Sequence, residues 1–594
     1  MSDFEAPLQD IKFVLKHVAD YPSIENLSAY GDADWALVEA VLEEAGKVAA
    51  EVIAPINKIG DEVGASMVDG QVVLPEGWKA AMTALAEGGW LGLNADTEYG
   101  GQGLPEILGT SVGEIWQSAC LSFSLCPLLT KGAVFAICEN GSEELKSRFV
   151  PKMVTGEWAG TMNLTESQAG SDLAALRSKA IPEGDHYRIS GQKIFISYGD
   201  HQLTDNIIHL VLARTPDAPD GVKGISLFVV PKFLVDENGN CGQRNDVHCV
   251  SLEHKLGLHG SPTAVMSYGD DGGAVGYLVG EENNGLAYMF VMMNAARFEV
   301  GVQGLGIAER AYQQARTYAI ERVQGQPINR GQGTPIIGHP DVRRMLLSMK
   351  CRIEAMRCLA YQGARYKDLS VHGETAEERQ VALLRNEYLT PIIKGWLTEN
   401  GTDIASSGIQ VHGGTGYIEE TGAAQHLRDA RVLPIYEGTT GIQANDLLFR
   451  KTVRDNGAVA KMFLSEVRQT ADELQHQGGW AAPLSEQLQR TLELTERVLA
   501  KLCAYGKNDM APLARSADAY LRLSGNLLGG GLLGKSALIA RQLQGNPSED
   551  SEFMKAKIES ARFYLSQILP QADANAISIL NDTDALEIYQ DDWF

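Results

Sequence analysis

The sequence predicts an α+β chain whose helical and β segments are segregated along its length. Three observations carry this. Apolar residues recur at helical spacing from about residue 32 to 157 and again from 286 onward. Between those stretches lie short β-branched runs separated by Gly, Asp and Pro clusters. At 594 residues the chain exceeds what one core can fill, so three or four domains are expected. Helices, then strands, then helices is the order of an α+β arrangement with separate domains.

The first helical stretch runs from Asp32, a candidate cap, to Pro55, with Leu37, Val41, Ala45, Val48 and Val52 on one face. Helical pattern continues to about residue 157, broken at Tyr99-Gly-Gly-Gln-Gly103. The period then changes: 187–197, 207–214 and 224–231 read as strands of a β-insert that ends near Gly280. Long helical runs return at 286–323, 340–368, 376–406 and 441–453, the spacing of a four-helix bundle. A further helical region, 456–594, carries Leu488, Leu492, Leu499 and Leu502. The expected divisions are an N-terminal helical domain (1–160), a middle β-barrel or sandwich domain (161–283), a helical bundle (284–455) and an added C-terminal helical domain (456–594).

The net charge of −25 disfavours nucleic acid or an anionic membrane surface as the main partner. Eight cysteines without a CxxC pair read as reduced, mostly buried thiols. The acidic start MSDFEAPLQD lacks the features of a signal peptide, and no run of about 18 apolar residues is expected to span a membrane. These features predict a soluble, cytoplasmic protein.

Three segments carry chemistry. Arg428-Asp-Ala-Arg-Val-Leu-Pro-Ile-Tyr-Glu-Gly-Thr-Thr-Gly-Ile-Gln443 contains Glu437, which alone reads as a helix-start residue with Thr439 as a cap. Leu164-Thr-Glu-Ser-Gln-Ala-Gly-Ser-Asp172 alone reads as a turn. Gln410-Val-His-Gly-Gly-Thr-Gly-Tyr417 alone reads as a tight helix–helix turn. Gly529-Gly-Gly-Leu-Leu-Gly-Lys-Ser536 fits GxxxxGK[ST] formally, but a helical run precedes it, so close helix packing through small residues is expected there. His254 and His259 have no partner at metal spacing in sequence, and no metal is expected.

In order, LTExxAGSD, a strand ending KIFIS, a helix with Arg297, Arg322 closing that run, QxxGGxGY and IYEGTxxIQ together resemble the acyl-CoA dehydrogenase family over roughly residues 30–455. EHKLGLHGSPT, MMNAARFEVG and the added C-terminal region resemble a subgroup that includes 3-methylmercaptopropionyl-CoA and fatty acyl-CoA dehydrogenases. The resemblance implies FAD as cofactor, bound between the β-domain and the bundle at a subunit interface. It also implies an acyl-CoA substrate, α,β-dehydrogenation in fatty-acid β-oxidation, and a homodimer or tetramer. An electron-transferring flavoprotein is the implied acceptor.

By the same resemblance, Glu437 is the base that removes the α-proton, a task suited to a carboxylate in an apolar cleft. Some members carry the base just before the arginine on the bundle helix; here Ala296 stands there and cannot serve. Leu164 and Thr165 correspond to contacts on the isoalloxazine edge, and Phe195 and Ser197 to the strand beside the ring. Many members have Trp and Thr at those last two positions. Arg322 corresponds to the arginine on the FAD pyrophosphate of a neighbouring subunit. Gln410, Gly413 and Gly414 correspond to the adenosine loop, and Thr439 to the threonine beyond the base. Ser171, Arg297 and Tyr436 correspond to substrate contacts. Departures concern the subunit-crossing FAD contacts. The Phe of RxxFG is absent from Arg322-Val-Gln-Gly-Gln326, Pro340 aligns with a Gln, 331–338 is lengthened, and Gly441 replaces the Gln after YEGTx. An acyl-CoA oxidase and a non-catalytic binding relative are the competing readings.

Overall fold

The computed structural model describes residues 4–236, 239–506, 509–547 and 550–594. Two compact units emerge: residues 44–105 with 119–299, and residues 4–43 with 106–118 and 300–594.

The first unit holds an eight-stranded sheet. Its strands run in the order 247–252, 263–268, 186–197, 274–278, 226–231, 206–213 and 158–163, with 179–183 also paired to 186–197. All pairs are antiparallel except 158–163 with 206–213, which runs Trp158↔Asn206 to Asn163↔Val211. The sheet curls, because Lys179 at the end of its strand also bridges Arg214 beyond the 206–213 strand. The parallel strands Trp158–Asn163 and Asn206–Ala213 are buried throughout, which explains why their sequences run mostly apolar and do not alternate. Helix Leu121–Asn140 packs on them so closely that a Cβ at Gly160 would lie 2.5 Å from that of Ala133. Thr130 of that helix accepts the Gly160 N–H at 3.1 Å.

That helix corrects the expectation of no long apolar run: by length and composition it could cross a membrane, and 67% of its most apolar window is buried within the fold. A second correction concerns the N-terminal stretch, which contains a β-hairpin, Ser66–Val68 with Gln71–Val73. Asp69 (φ 50°) and Gly70 (φ 75°) form its left-handed turn, the Asp-Gly signature of a type I′ hairpin. A third concerns the first long helix, Trp35–Val48, which is capped by Asp34, not Asp32, through the Leu37 N–H at 2.8 Å. The buried stripe of this helix and of the π-helical turn Ala49–Ile53 that continues it, Val38, Leu42, Ala45, Ala49 and Ile53, lies one residue on from the predicted face at most positions.

The second unit is helical. From Val300 onward helix Gly285–Glu321 forms the bundle with Pro340–His372, Ala376–His412, the shorter Thr440–Asn445 and the π-helical turn Asp446–Val453. Glycines let two of them nearly touch: a Cβ at Gly301 would lie 2.5 Å from Ile393, and one at Gly304 2.8 Å from the Leu397 carbonyl. The added region supplies Ala458–Gln477, Ala482–Tyr505, Met510–Leu543, Ser551–Phe563 and Pro570–Leu580. The 529–536 segment lies inside helix Met510–Leu543, with no preceding strand, so it is not a phosphate-binding loop. Its small residues do pack closely, a Cβ at Gly531 falling 2.8 Å from Val467.

A buried ionic network joins the second unit internally. Arg357 donates to Glu114, to Glu309 and to Asp10, and Lys557 donates to Asp10 and Glu354 at 2.7 Å each. All eight cysteines are free, five of them buried.

Candidate active site

The predicted site residues fall into two groups, one in each unit. In the sheet unit, strand Trp158–Asn163 delivers Leu164 and Thr165, and strand His186–Ser197 delivers Phe195 and Ser197. The two are tied together. The Ile194 N–H donates to the Thr165 carbonyl at 2.9 Å, and the Lys193 ammonium donates to the Leu164 carbonyl at 3.1 Å. The Thr161 hydroxyl donates to the Ser197 carbonyl at 2.7 Å.

Beneath this junction lies a pair that the sequence reading passed over. The Glu166 carboxylate accepts from Lys193 (2.8 Å), the Ser178 hydroxyl (2.6 Å) and the N–H groups of Arg177 (2.8 Å) and Ser178 (3.0 Å). Burial alone would raise the Glu166 carboxyl, but the Lys193 charge and these donors outweigh it and hold the group down at about 2. Burial lowers Lys193 to about 8 against the pull of Glu166, so near neutral pH the pair is ionised. Glu166 therefore anchors the loop.

Phe195 is left-handed (φ 60°) where the pairing with 263–268 shifts register, and the residue is 59% exposed. A bulky aromatic held with positive φ and uncovered by its own unit is an unusual expense of stability, of the kind found at ligand sites. Ser171 is exposed in the following turn, where the Asp172 carboxylate accepts the Ala174 N–H at 3.0 Å. Arg297 is placed separately, on helix Gly285–Glu321, with its guanidinium 5.9 Å from the Phe290 ring centre.

In the helical unit, Arg322, Gln410, Gly413 and Gly414 gather at one end of two helices. Tyr318, whose carbonyl accepts the Arg322 N–H at 2.8 Å, stacks on His412 with ring centres 4.5 Å apart. Gly413 (φ 63°) turns the chain after Gln410, whose carbonyl accepts its N–H. A Cβ at Gly413 or Gly414 would meet no atom within 4 Å, so bare backbone faces open space there. Within the sheet unit the exposed Phe195 suits the face of a planar group; within the helical unit the bare backbone at Gly413 and Gly414 suits close approach of a nucleotide.

Glu437 sits in the turns between helices Ala423–Ala430 and Thr440–Asn445. It is left-handed (φ 56°), as is Gly438 (φ 87°). Two side chains hold this strained pair. Lys394, fully buried on helix Ala376–His412, donates to the carbonyls of Leu433 (2.8 Å) and Gly438 (2.6 Å). The Gln443 amide donates to the carbonyls of Glu437 and Gly438 at 3.3 Å each. Thr439 caps the next helix through the Ile442 N–H, as its plain reading implied. The Tyr436 hydroxyl donates to Gln303, and burial first, then the Glu437 charge, push its ionisation far above the usual phenol range.

Lys394 and Gln303 were not legible as site residues, and Gln443, though it ends the IYEGTxxIQ run, was given no role there. For Lys394 the available signal was a lone lysine in the apolar run Ile392-Ile-Lys-Gly-Trp-Leu397.

His259 finds its partner far along the chain. It has a carboxylate partner, Asp61, at 3.0 Å, 198 residues away in sequence. Asp246, His248 and Asp271 bring ligand atoms within 4.8 Å of one another. One oxygen of Asp246 already accepts the N–H groups of Asp271 and Gly273 in a turn, which accounts for its place there.

Known proteins resolve what the geometry suggests. Residues 38–157 match the family model for the acyl-CoA dehydrogenase N-terminal domain, 161–270 the middle domain and 283–451 the C-terminal domain. Residues 463–588 match the model described as acetyl-CoA dehydrogenase C-terminal like. The 3-methylmercaptopropionyl-CoA dehydrogenase of Ruegeria pomeroyi is 48% identical over 586 residues, covering 98% of this chain and 99% of that protein.

The chain belongs to the acyl-CoA dehydrogenase family.

A butyryl-CoA dehydrogenase of Syntrophomonas wolfei is 35% identical, covering 95% of this chain and 94% of its own length. The fold matches an acyl-CoA dehydrogenase from Bacillus anthracis solved in complex with FAD, with a TM-score of 0.73 at 19% identity, covering 94% of this chain and 91% of that one. Acyl-CoA dehydrogenases are FAD-dependent oxidoreductases, and this chain is one of them.

Proposed function

We propose that this acyl-CoA dehydrogenase oxidises an acyl-CoA thioester to its trans-2-enoyl-CoA, with Glu437 removing the α-proton. The observation that carries the reading is the backbone of Glu437. A glutamate in the left-handed region costs about 1–2 kcal/mol, and two clamping side chains hold it there. Strain maintained by its surroundings marks a functional position. FAD, when bound, supplies the acceptor for the β-hydride. Leu164, Thr165, Phe195 and Ser197 would hold its ring, and Arg322, Gln410, Gly413 and Gly414 its pyrophosphate and adenosine. Ser171, Arg297 and Tyr436 would line the path of the thioester, and Thr439 would fix the turn beyond the base.

A positioned base contributes roughly 10²–10⁴-fold to proton transfer. The electrons are then accepted by an electron-transferring flavoprotein, and the enzyme assembles as a homodimer; both follow from the family resemblance. On substrate, the near-full-length likeness to the Ruegeria pomeroyi enzyme favours a short acyl chain, with 3-methylthiopropanoyl-CoA the first candidate and butanoyl-CoA the second.

A turnover series over butanoyl-, 3-methylthiopropanoyl-, octanoyl- and hexadecanoyl-CoA with an artificial electron acceptor tests the substrate. A maximum at hexadecanoyl-CoA overturns the short-chain reading. Glu437→Gln tests the base: the variant should stay yellow, bind acyl-CoA and fail to bleach on its addition. Normal bleaching moves the base elsewhere.

A further inference from the structure

We propose that Lys394 is a positioning residue for this reaction: its buried ammonium grips the chain on both sides of Glu437 and fixes where the carboxylate stands. The inference rests on the reading of Glu437 as base.

Residues 433–440 form a succession of turns, not a regular helix or strand. Their backbone is tied by Ile435 N–H to the Val432 carbonyl (2.8 Å), Tyr436 N–H to the same carbonyl (3.1 Å) and Thr440 N–H to the Pro434 carbonyl (2.9 Å), which the Thr440 hydroxyl also reaches at 3.4 Å; none of these bonds involves Glu437 or Gly438. Such a segment does not hold two successive left-handed residues by itself. Lys394 spans it, reaching Leu433 four residues before Glu437 and Gly438 one residue after. Gln443 closes the other side by donating to the carbonyls of Glu437 and Gly438. The ammonium in turn has a fixed origin. Its helix is pressed against helix Gly285–Glu321 at Ile393, where Gly301 leaves no room for a side chain.

The choice of residue type supports the assignment. Burying an ammonium removes a strongly hydrated charge from water at a large desolvation cost, which methionine would fill without. What methionine could not do is orient two carbonyls at hydrogen-bond distance. Those two carbonyl contacts are what a lysine supplies at 394 and a methionine does not. Proton abstraction needs the reacting atoms about 3–3.5 Å apart, and a 1 Å displacement of the base costs on the order of 10²-fold.

The test uses the full-length FAD-loaded enzyme with Lys394→Met, Gln443→Leu and Glu437→Gln in parallel. Flavin content, melting temperature and affinity for 2-butenoyl-CoA report integrity. The rate of anaerobic flavin reduction by butanoyl-CoA, and its isotope effect with the α-deuterated thioester, report the chemical step. Lys394→Met should keep its flavin and its 2-butenoyl-CoA affinity within about 3-fold, while reduction slows about 10- to 100-fold and the isotope effect rises. Gln443→Leu should slow reduction in the same sense and less. Reduction at the wild-type rate per bound flavin in Lys394→Met, with Glu437→Gln inert, overturns the role of Lys394 and leaves the base intact. Normal reduction in Glu437→Gln overturns the base and this inference with it. Should Lys394→Met not fold, Gln443→Leu decides: an unchanged rate and isotope effect there overturn the clamp.

Discussion

Lys193 and Glu166 stand 2.8 Å apart, both buried, directly beneath the loop that carries Leu164 and Thr165. The pair fixes that loop because one ammonium serves both the carboxylate and the Leu164 carbonyl. Glu166→Gln leaves the Lys193 charge without its counter-ion, and breaking a buried pair in this way costs about 3–5 kcal/mol. The expected outcome is a lower melting temperature together with faster loss of FAD on dilution, followed by flavin fluorescence. A variant as stable as the parent, with its flavin retained, shows that the loop is held by other means.

Gly414 separates ligand effects from folding effects. Its φ is not in the left-handed region and no atom lies within 4 Å of a built Cβ, so Gly414→Ala fits the protein without strain or clash. Removing a glycine from the unfolded chain stabilises by about 0.4–1 kcal/mol. The apoprotein should therefore melt no lower than the parent, while FAD binding weakens, because the methyl occupies the space where ligand backbone contact is proposed. Equal FAD affinity in the two proteins places the adenosine half elsewhere.

Acid should unfold this protein early. Burial, above all, pushes His201, His209 and His426 down to about 3, so all three are neutral in the fold. Their folded values lie below the unfolded value of about 6.5, so the stability they give is complete above pH 6.5 and is lost as pH falls from there toward 3. Each contributes a slope of about 1.4 kcal/mol per pH unit. Glu166, lowered to about 2, adds its loss only below its unfolded value of about 4.5. Urea midpoints measured from pH 7.5 to 5 should fall steeply below 6.5. A flat profile between 6.5 and 5 means that the rings accept protons without unfolding.

The long helices and the core strands were legible because burial writes itself into hydrophobic period: the 285–321, 340–372 and 376–412 helices begin within a residue of their predicted starts. The 66–73 hairpin was missed because three-residue strands carry no period, and its Asp-Gly turn was the only mark. Glu437 was visible through its motif, but its left-handed backbone was not, since nothing in Tyr-Glu-Gly requires φ 56° at the glutamate. Lys394 and Gln303 were hidden for a different reason. Each is a polar residue whose partner lies 39 or more residues away, and spacing along the chain cannot show which carbonyl or hydroxyl it will meet.

Lys557 offers the sharpest test of why the added C-terminal helices belong to the fold. It is fully buried on helix Ser551–Phe563 and stands between Asp10 and Glu354, two carboxylates drawn from helix Leu8–Phe13 and from the bundle. Arg357 neutralises Asp10 on its other side, and Lys350 does the same for Glu354. In Lys557→Met the two buried carboxylates keep one cation each but lose the charge that stood between them. The expected cost is about 3–5 kcal/mol. A second substitution distinguishes charge from packing: adding Glu354→Gln to Lys557→Met removes one of the stranded carboxylates and should recover part of the loss, read as a partial return of the melting temperature. Additive losses in the double variant place the contribution of Lys557 in packing, not in the ionic bridge.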